Sequence, residues 1–242
     1  INSKFKILDK PDPCYKLKAI KNPIEIKNME KSHIADGVAL TKFIFWIKNH
    51  KKKINEINAK EKLESFRKLN KNYIKPSFHT ISAAGPNAAL PHYIPPQKNS
   101  REIKKNEIFL CDSGGQYKYG TTDVTRTITF KNQSKKIKNI FTKVLKGHIA
   151  VAITDLSKNK TGKEIDRRAR KFLKKDGLDY AHGTGHGVGF FSNVHEGPQS
   201  LTKTNDIKLE QGMIVSNEPG FYKKGKFGIR IENLVYVKKM NK

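Results

Sequence analysis

The sequence of 242 residues is poor in cysteine and arginine and has no long apolar run. Its two cysteines, Cys14 and Cys111, stand far apart and make no disulfide framework, so we expect a reducing compartment and predict a cytoplasmic protein. No stretch of about 18 apolar residues occurs, which excludes a transmembrane helix. The chain opens on Ile1 and a polar segment, so we expect no signal peptide and interpret the chain as a processed or excised piece of a longer protein.

Acidic residues are also scarce, since 22 Asp and Glu face 49 Lys and Arg and the formal net charge is +27. Such a charge suggests a nucleic-acid surface, but only seven of the basic residues are arginine, the side chain best suited to bidentate phosphate and base contacts. The lysines are spread from end to end, with no aromatic residues interleaved among them in a basic motif. We therefore predict a lysine-rich solvated exterior and no specific nucleic-acid partner.

What is present is sufficient for a folded core. The chain is 36% hydrophobic and carries 13 Phe and 8 Tyr, so we expect a folded rather than a fully disordered chain, and its length suits one large domain or two small ones. Residues 1–15 are predicted to be a strand end, a linker or the remnant of a preceding domain. Helices are predicted at 23–48, 55–69, 136–156 and 162–175, and strands at 78–84, 107–112 and 122–130. Short glycine-rich strands are predicted to follow the last helix, up to residue 237. The order of two helices and then strands therefore occurs twice, which suggests related halves near 16–132 and 133–242.

Several of the few carboxylates occupy positions where burial is expected. Asp112 ends the apolar strand IFLC, and Asp123 follows eleven residues later in TTDVTRT. Glu218 follows the apolar segment MIVSN, and Glu232 lies within IRIENL. A buried carboxylate must be paired, protonated or bound to a cation, because burying it bare is too costly. Structural ion pairs and a metal site both remain compatible with this spacing.

A glycine-spaced histidine pair, HGTGHGVG at 182–189, accompanies these carboxylates. Small residues around His186 leave room for a metal ion, and carboxylates with one imidazole suit divalent cations such as Mn²⁺ better than thiolate-preferring metals. Four carboxylates and one histidine are enough for two ions about 3.5–4 Å apart. Arg126 and Arg230 stand next to these residues and are interpreted as partners of the carboxylates.

Taken together, six segments resemble the M24 metallopeptidase family, and within it the aminopeptidase P branch. They are SFHTISAAGPNAALPHY (77–93), FLCDSGGQYKYGTTDVTRT (109–127), HGTGHGVG (182–189), NVHEGPQ (193–199), SNEPGFY (216–222) and GIRIEN (228–233). The resemblance begins near Leu17 and runs almost to the C-terminus. It implies an α+β pita-bread fold for residues 16–242, with two pseudo-symmetric halves around a dinuclear metal site.

The same resemblance implies the ligands of two divalent ions, most naturally Mn²⁺. Asp123 would chelate one ion, Asp112 and Glu232 would bridge the pair, and His186 and Glu218 would complete the other ion.

Further roles follow from the resemblance. The implied reaction is hydrolysis of the N-terminal residue from peptides with proline in the second position, by a hydroxide held between the two ions. Glu218 would shuttle the proton from this nucleophile to the leaving nitrogen. Three more histidines would complete the catalytic site: His195 and His92 would donate hydrogen bonds to the carbonyl oxygen, and His182 would help to wall the proline pocket.

Two alternatives stay open. A prolidase would use the same chemistry to cleave Xaa-Pro dipeptides. A non-catalytic pita-bread protein that binds nucleic acid or histones would explain the charge, although such proteins typically lose metal ligands and all five are present here. The resemblance also allows a homodimer, and no membrane partner is expected.

Overall fold

The computed structural model describes residues 9–10, 12–158 and 160–239. Its helices are α1 (Pro13–Ala19), α2 (Pro23–Asn49), α3 (Glu56–Arg67), α4 (Lys135–Ala152) and α5 (Gly162–Lys174), and a short 3₁₀ helix spans Gly85–Ala89. Its strands are β1 (Tyr73–Pro76), β2 (Ile81–Ala84), β3 (Ile108–Ser113), β4 (Gly115–Tyr117), β5 (Gly120–Thr121), β6 (Val124–Thr129), β7 (Gly185–Gly187), β8 (Glu196–Leu201), β9 (Ile214–Asn217), β10 (Gly220–Lys223), β11 (Phe227–Arg230) and β12 (Asn233–Tyr236).

The long helices begin where the sequence supplies a cap. Asn22 caps α2, and its side chain accepts hydrogen bonds from the backbone while Glu25 bonds back to the cap. Thr161 and Glu164 form the same reciprocal arrangement at the start of α5, as their spacing predicts. The predicted helix from 23 to 48 is observed as α2, and it ends one residue later.

The N-terminal segment differs in part from its interpretation as a linker. Residues 1–8 and 11 lie outside the described residues, but residues 13–15 already belong to α1. Asp12 caps this helix by accepting a hydrogen bond from the backbone N–H of Cys14, and Pro13 suits the first helical turn because its missing N–H needs no partner there. The predicted strand at 78–84 is also shorter, since only Ile81–Ala84 pairs with β3.

Two antiparallel sheets carry the site. Strands β2, β3 and β6 form one sheet, and β12, β9, β7 and β8 form the other. Helices α2 and α3 pack against the first sheet, and α4 and α5 belong to the second half. The first core includes Leu40, Phe43, Ile47, Leu63, Phe109 and Ile128, and a second core includes Val151, Ile165, Ala169, Leu201 and Val215. Each half therefore places helices on a sheet, in the repeated order that the sequence predicts.

The two halves meet along β6. The backbone N–H of Glu232 donates to the carbonyl of Thr125 at 3.3 Å, and the Thr127 hydroxyl donates to the carbonyl of Arg230 at 2.8 Å. Arg126 adds a hydrogen bond from Nη1 to the carbonyl of Glu232 at 2.7 Å. These contacts hold the segment 230–232 against the strand that follows Asp123, so carboxylates from both halves face one another.

Among the described residues, no helix is both long and apolar enough to cross a membrane. Cys111 is buried on β3 and Cys14 is exposed, and both are free thiols.

Candidate metal centre

All eight predicted site residues line one cavity of about 300 Å³. They are His92, Asp112, Asp123, His182, His186, His195, Glu218 and Glu232. Phe78, Ile81 and Pro91 add apolar surface to the same cavity. The structure thus brings together residues that lie up to 140 positions apart, and the roles predicted for them can be examined against their contacts.

Asp112 lies near the end of β3, where its backbone pairs with Ile81 on one side and Thr125 on the other. Its Oδ2 accepts a hydrogen bond from Arg230 Nη2 at 2.5 Å. Its Oδ1 is buried and has no hydrogen-bond partner among the described residues. A buried carboxylate oxygen with free lone pairs is the arrangement that a cation would complete.

Asp123, His186 and Glu232 form the tightest group of donors. Each offers one ligand atom, and these atoms lie within 4.8 Å of one another. Asp123 and Glu232 are almost fully buried, and His186 is partly exposed to the cavity. Oxygen and imidazole donors at this separation suit a divalent ion of the borderline or hard class.

The backbone fixes the tautomer of His186. Its Nδ1 donates to the carbonyl of Gly187 at 2.8 Å, which leaves a lone pair on Nε2. That Nε2 lies 3.4 Å from Asp123 Oδ2 and 3.4 Å from Glu218 Oε1. A metal ligand needs this neutral tautomer.

The glycines beside His186 are required by close backbone packing. A Cβ at Gly185 would lie 1.9 Å from the carbonyl oxygen of Ser216, and a Cβ at Gly187 would lie 2.3 Å from that of Glu196. Only glycine therefore lets β7 fit between β8 and β9 at this point. The HGTGHG pattern reflects this packing as well as access to the site.

Hydroxyl groups orient the two glutamates. Ser216, two residues before Glu218 on β9, donates to Glu218 Oε1 at 2.9 Å. Thr125 on β6 donates to Glu232 Oε2 at 2.6 Å. Neither hydroxyl was predicted from the sequence, although a serine two positions from a glutamate at the end of a strand lies on the same face and is a usable signal. Arg126 contacts the backbone of Glu232 rather than its carboxylate, whereas Arg230 binds the Asp112 carboxylate as expected.

The electrostatics of the acidic group favour cation binding. Burial raises the pKa of Asp123 and of Glu232 well above its ordinary value, and neighbouring carboxylates raise it further. Burial also raises the pKa of Glu218, although the neighbouring His186 and Arg230 side chains oppose this shift. Without a counter-charge the carboxyls resist ionising together. Two divalent cations would supply that charge, so the donor set fits them.

Two cavity histidines that are not predicted ligands, His182 and His195, have pKa values below the ordinary value. His182 Nδ1 donates to the carbonyl of Gly183 at 2.7 Å, so Nε2 accepts from the Tyr222 hydroxyl, which lies 2.8 Å away. Burial and the nearby Arg230 charge lower the pKa of His182 to about 4. Burial and His186 also lower the pKa of His195, whose ring packs edge-on against His186 at 4.1 Å between centroids.

Arg230 and Tyr222 connect His182 to the acidic group. Arg230 Nη1 donates to the Tyr222 hydroxyl at 2.6 Å while Nη2 holds Asp112. Burial raises the pKa of Tyr222 to about 12, so the phenol stays protonated and can donate to His182. One guanidinium therefore orients a predicted bridging carboxylate and a cavity histidine together.

The neutrality of His182 predicts an acid-sensitive fold. Its folded-state pKa of about 4 lies below the ordinary value of 6.5, so the unfolded chain binds more protons between these values. The stability that His182 contributes is complete above about pH 6.5 and is lost as the pH falls towards 4. Between pH 7 and pH 4, the Tm of His182→Gln is expected to fall by less than the Tm of the parent. Thermal melts across this pH range measure the difference. His79→Gln, at an exposed histidine, is the matched control. A parental slope in His182→Gln would contradict the assignment.

Known proteins with similar sequences belong to a metallopeptidase family, which agrees with the cluster of carboxylates and histidines in the cavity. Residues 27–239 match the model of metallopeptidase family M24. The chain is 46% identical to a protein named probable Xaa-Pro aminopeptidase P from Paracoccidioides brasiliensis, over 97% of this chain and 39% of that protein. A protein of the same name from Laccaria bicolor is 49% identical over 94% of this chain and 36% of its own length. The chain spans about two fifths of the length of these curated relatives.

Solved structures of related enzymes also resemble this chain. The X-prolyl aminopeptidase of Caenorhabditis elegans, described as a cytosolic enzyme with a di-nuclear active site, superposes with a TM-score of 0.87 at 42% identity, over 93% of this chain and 37% of that chain. The prolidase of Pyrococcus furiosus superposes with a TM-score of 0.83 at 29% identity, over 93% of this chain and 64% of that chain. The predicted pita-bread fold is confirmed. The family match over most of the chain and the high identity to its relatives show that this chain belongs to metallopeptidase family M24.

Proposed function

We propose that this chain is the catalytic domain of a two-metal Xaa-Pro aminopeptidase, which releases the first residue of peptides that carry proline second. The observation that carries the proposal is the convergence of four carboxylates and His186 on one cavity that three further histidines also line. The relatives named Xaa-Pro aminopeptidase support the substrate class. The description of the nematode enzyme supports a dinuclear site and a cytosolic location.

The proposed ligands are Asp112, Asp123, His186, Glu218 and Glu232. Mn²⁺ is the proposed metal, because four carboxylates and one imidazole form a hard to borderline donor set without thiolate. When bound, two such ions lower the pKa of a water molecule and polarise a carbonyl group. The free Oδ1 of Asp112 and the free Nε2 of His186 are the donors that support this assignment most directly.

Glu218 is the proposed proton carrier. Its Oε1 accepts a hydrogen bond from Ser216 and lies 3.4 Å from His186 Nε2, so the carboxylate lies among the proposed ligands that line the cavity. Burial raises its pKa above the ordinary value, which suits a group that takes a proton from the nucleophile and gives it to the leaving nitrogen.

His195 and His92 are proposed to donate hydrogen bonds to the scissile carbonyl oxygen as negative charge develops on it. Both line the cavity, and burial keeps His195 neutral at physiological pH by lowering its pKa. A neutral imidazole still offers one N–H donor. His182 is committed on both ring nitrogens to Gly183 and Tyr222, so its proposed role is to wall the proline pocket.

A prolidase activity is the second candidate, favoured by the superposition on the prolidase of Pyrococcus furiosus. The two activities share the same chemistry and differ in whether the substrate ends after proline. They are therefore separated by substrate length. A homodimer and the absence of a specific nucleic-acid partner remain predictions.

The test compares two substrates with the Mn²⁺-loaded protein. We expect release of the first residue from an Xaa-Pro-Yaa tripeptide, with kcat/KM at least about tenfold higher than for the Xaa-Pro dipeptide and no cleavage of the matched Xaa-Ala-Yaa peptide. Product formation is followed by chromatography. A strong preference for the dipeptide would favour the prolidase, and an intact tripeptide with folded, metal-loaded protein would contradict both candidates.

A further inference from the structure

The segment that presents His92 depends on one buried glutamate. This segment, residues 85–93, is called the His92 loop below; it comprises the 3₁₀ helix Gly85–Ala89 and the turn that follows. The side chain of His92 is exposed, so its position is set by the backbone of its loop rather than by packing around the ring. The contacts that fix the His92 loop therefore determine the position of His92, a proposed hydrogen-bond donor.

Glu56, the first residue of α3, supplies that hold. Its side chain is completely buried, and it lies outside the cavity lined by the proposed catalytic residues. Its Oε1 accepts from the backbone N–H of Ala84 at 2.7 Å and from Asn87 Nδ2 at 3.0 Å. Its Oε2 accepts from the Tyr93 hydroxyl at 2.7 Å. One carboxylate thus contacts the residue before the loop, its middle and its last residue.

The contacts on Glu56 reinforce one another. Asn87 Nδ2 also donates to the Tyr93 hydroxyl at 2.9 Å, so the amide ties the middle of the loop to its end. Tyr93 is half-buried and packs against the apolar cluster of Ile81, Ala83, Ala88 and Leu110. Burial and the Glu56 hydrogen bond raise the pKa of Tyr93, which keeps the hydroxyl as a donor.

The other side of the loop faces the metal centre. A Cβ at Gly228 on β11 would lie 1.7 Å from the carbonyl oxygen of Ala88, so the loop backbone is pressed against the strand that carries Arg230. Arg230 Nη2 also donates to the Pro91 carbonyl at 3.4 Å. The loop is therefore clamped between Glu56 on one side and β11 on the other, with Pro91 and His92 exposed to the cavity.

We propose that Glu56, acting through Asn87 and Tyr93, is a positioning residue that sets His92 at the reacting carbonyl. This inference rests on the proposed function, since it assigns the purpose of the contacts to the hydrolytic role of His92. Burying a carboxylate is costly unless it is fully hydrogen-bonded, and here the bonds come from the His92 loop and the residue before it rather than from a cation or a basic side chain. The desolvation cost of burying Glu56 is consistent with a loop that must keep the exposed His92 in a fixed position.

The test uses Tyr93→Phe, which removes one hydroxyl and keeps the ring. With the Mn²⁺-loaded protein and an Xaa-Pro-Yaa tripeptide, we expect kcat to fall about tenfold with little change in KM, because misplacing a group that acts on the transition state costs turnover. Tyr73→Phe is the matched control, because Tyr73 also donates to a glutamate, Glu64, at 2.7 Å but lies away from the cavity. It is expected to keep the parental kcat.

A double variant distinguishes positioning from a general structural effect. In a His92→Ala background, Tyr93→Phe and Glu56→Gln are expected to cause no further loss of kcat, because the group they position is gone. Equal losses in both backgrounds would overturn the proposal. Glu56→Gln is the second variant, because its amide would place N–H donors where Asn87 and Tyr93 already donate.

Hydrogen exchange provides a readout that does not depend on activity. Backbone amides at 84–93 are expected to exchange faster in Tyr93→Phe than in the parent, while those of β9 keep their protection. Unchanged protection at 84–93 would overturn the anchoring role whatever the kinetics. A parent protein that leaves the tripeptide intact would contradict the proposed function and the purpose assigned to Glu56, whereas faster exchange in that case would show the anchoring alone.

Discussion

Replacing Glu218 with glutamine is expected to lower kcat on an Xaa-Pro-Yaa tripeptide by about 10³-fold, within the range typical for loss of a general acid–base group. Glutamine keeps an oxygen that can accept from Ser216 and bind a cation, but it cannot carry a proton. Steady-state kinetics with Mn²⁺ in excess measures the effect.

Metal content separates the two roles proposed for Glu218. If proton transfer is its main contribution, Glu218→Gln keeps most of its bound metal, measured by mass spectrometry of the dialysed protein, and still loses turnover. Glu210→Gln is the matched control, because Glu210 is an exposed glutamate paired with Lys16. A Glu218→Gln protein with near-parental kcat would contradict the proposed mechanism.

The second large effect concerns stability and metal binding at Asp123. In the parent, a cation at a hundred times its Kd is expected to raise the free energy of unfolding by about 2.7 kcal/mol. Asp123→Asn is expected to lose most of this metal-dependent gain. Without metal, the variant is expected to melt at or above the parental Tm near neutral pH, because the amide removes one of several mutually repelling buried carboxyls.

Thermal melts with and without Mn²⁺ test this pair of opposite changes. Asp206→Asn is the control, since Asp206 is an exposed aspartate, 3.7 Å from Lys163. It is expected to keep the metal-dependent gain. An Asp123→Asn protein with the full gain, or with a metal-free Tm several degrees below that of the parent, would contradict the placement of Asp123 at a cation site.

Much of this site was predictable because its residues lie in local patterns with chemical meaning. Asp112 ends an apolar strand and His186 lies between glycines, so the neighbouring residues predict the burial of Asp112 and the close backbone packing around His186. The capping pairs of α2 and α5 are legible for the same reason, since each involves residues three positions apart. The family resemblance then orders these local signals into one fold.

The contacts of Glu56 were not predictable in this way. Glu56 stands in the first turn of a helix, where an acidic residue ordinarily favours the helix dipole and faces solvent. Its burial depends on Asn87 and Tyr93, which are 31 and 37 positions away and approach it only in the folded chain. The short strands β1, β4 and β5 were not predicted either, because strands of two to four residues show too little periodicity to be recognised.

The charge of the chain has a clearer meaning with the fold in view. Lysines are exposed along much of the surface, whereas Asp112, Asp123 and Glu232 are buried. The minority charge thus forms an acidic interior that, as proposed, two cations neutralise. The net charge of +27 reflects the lysine-rich exterior and does not indicate the acidic residues in the interior.

Anomalous diffraction from crystals of the Mn²⁺-loaded protein tests the central claim most directly. We expect two peaks at the manganese edge, about 3.5–4 Å apart, with Asp112 and Glu232 between them and His186 and Glu218 beside one of them. A single peak, or peaks away from these five side chains, would contradict a dinuclear centre built from Asp112, Asp123, His186, Glu218 and Glu232.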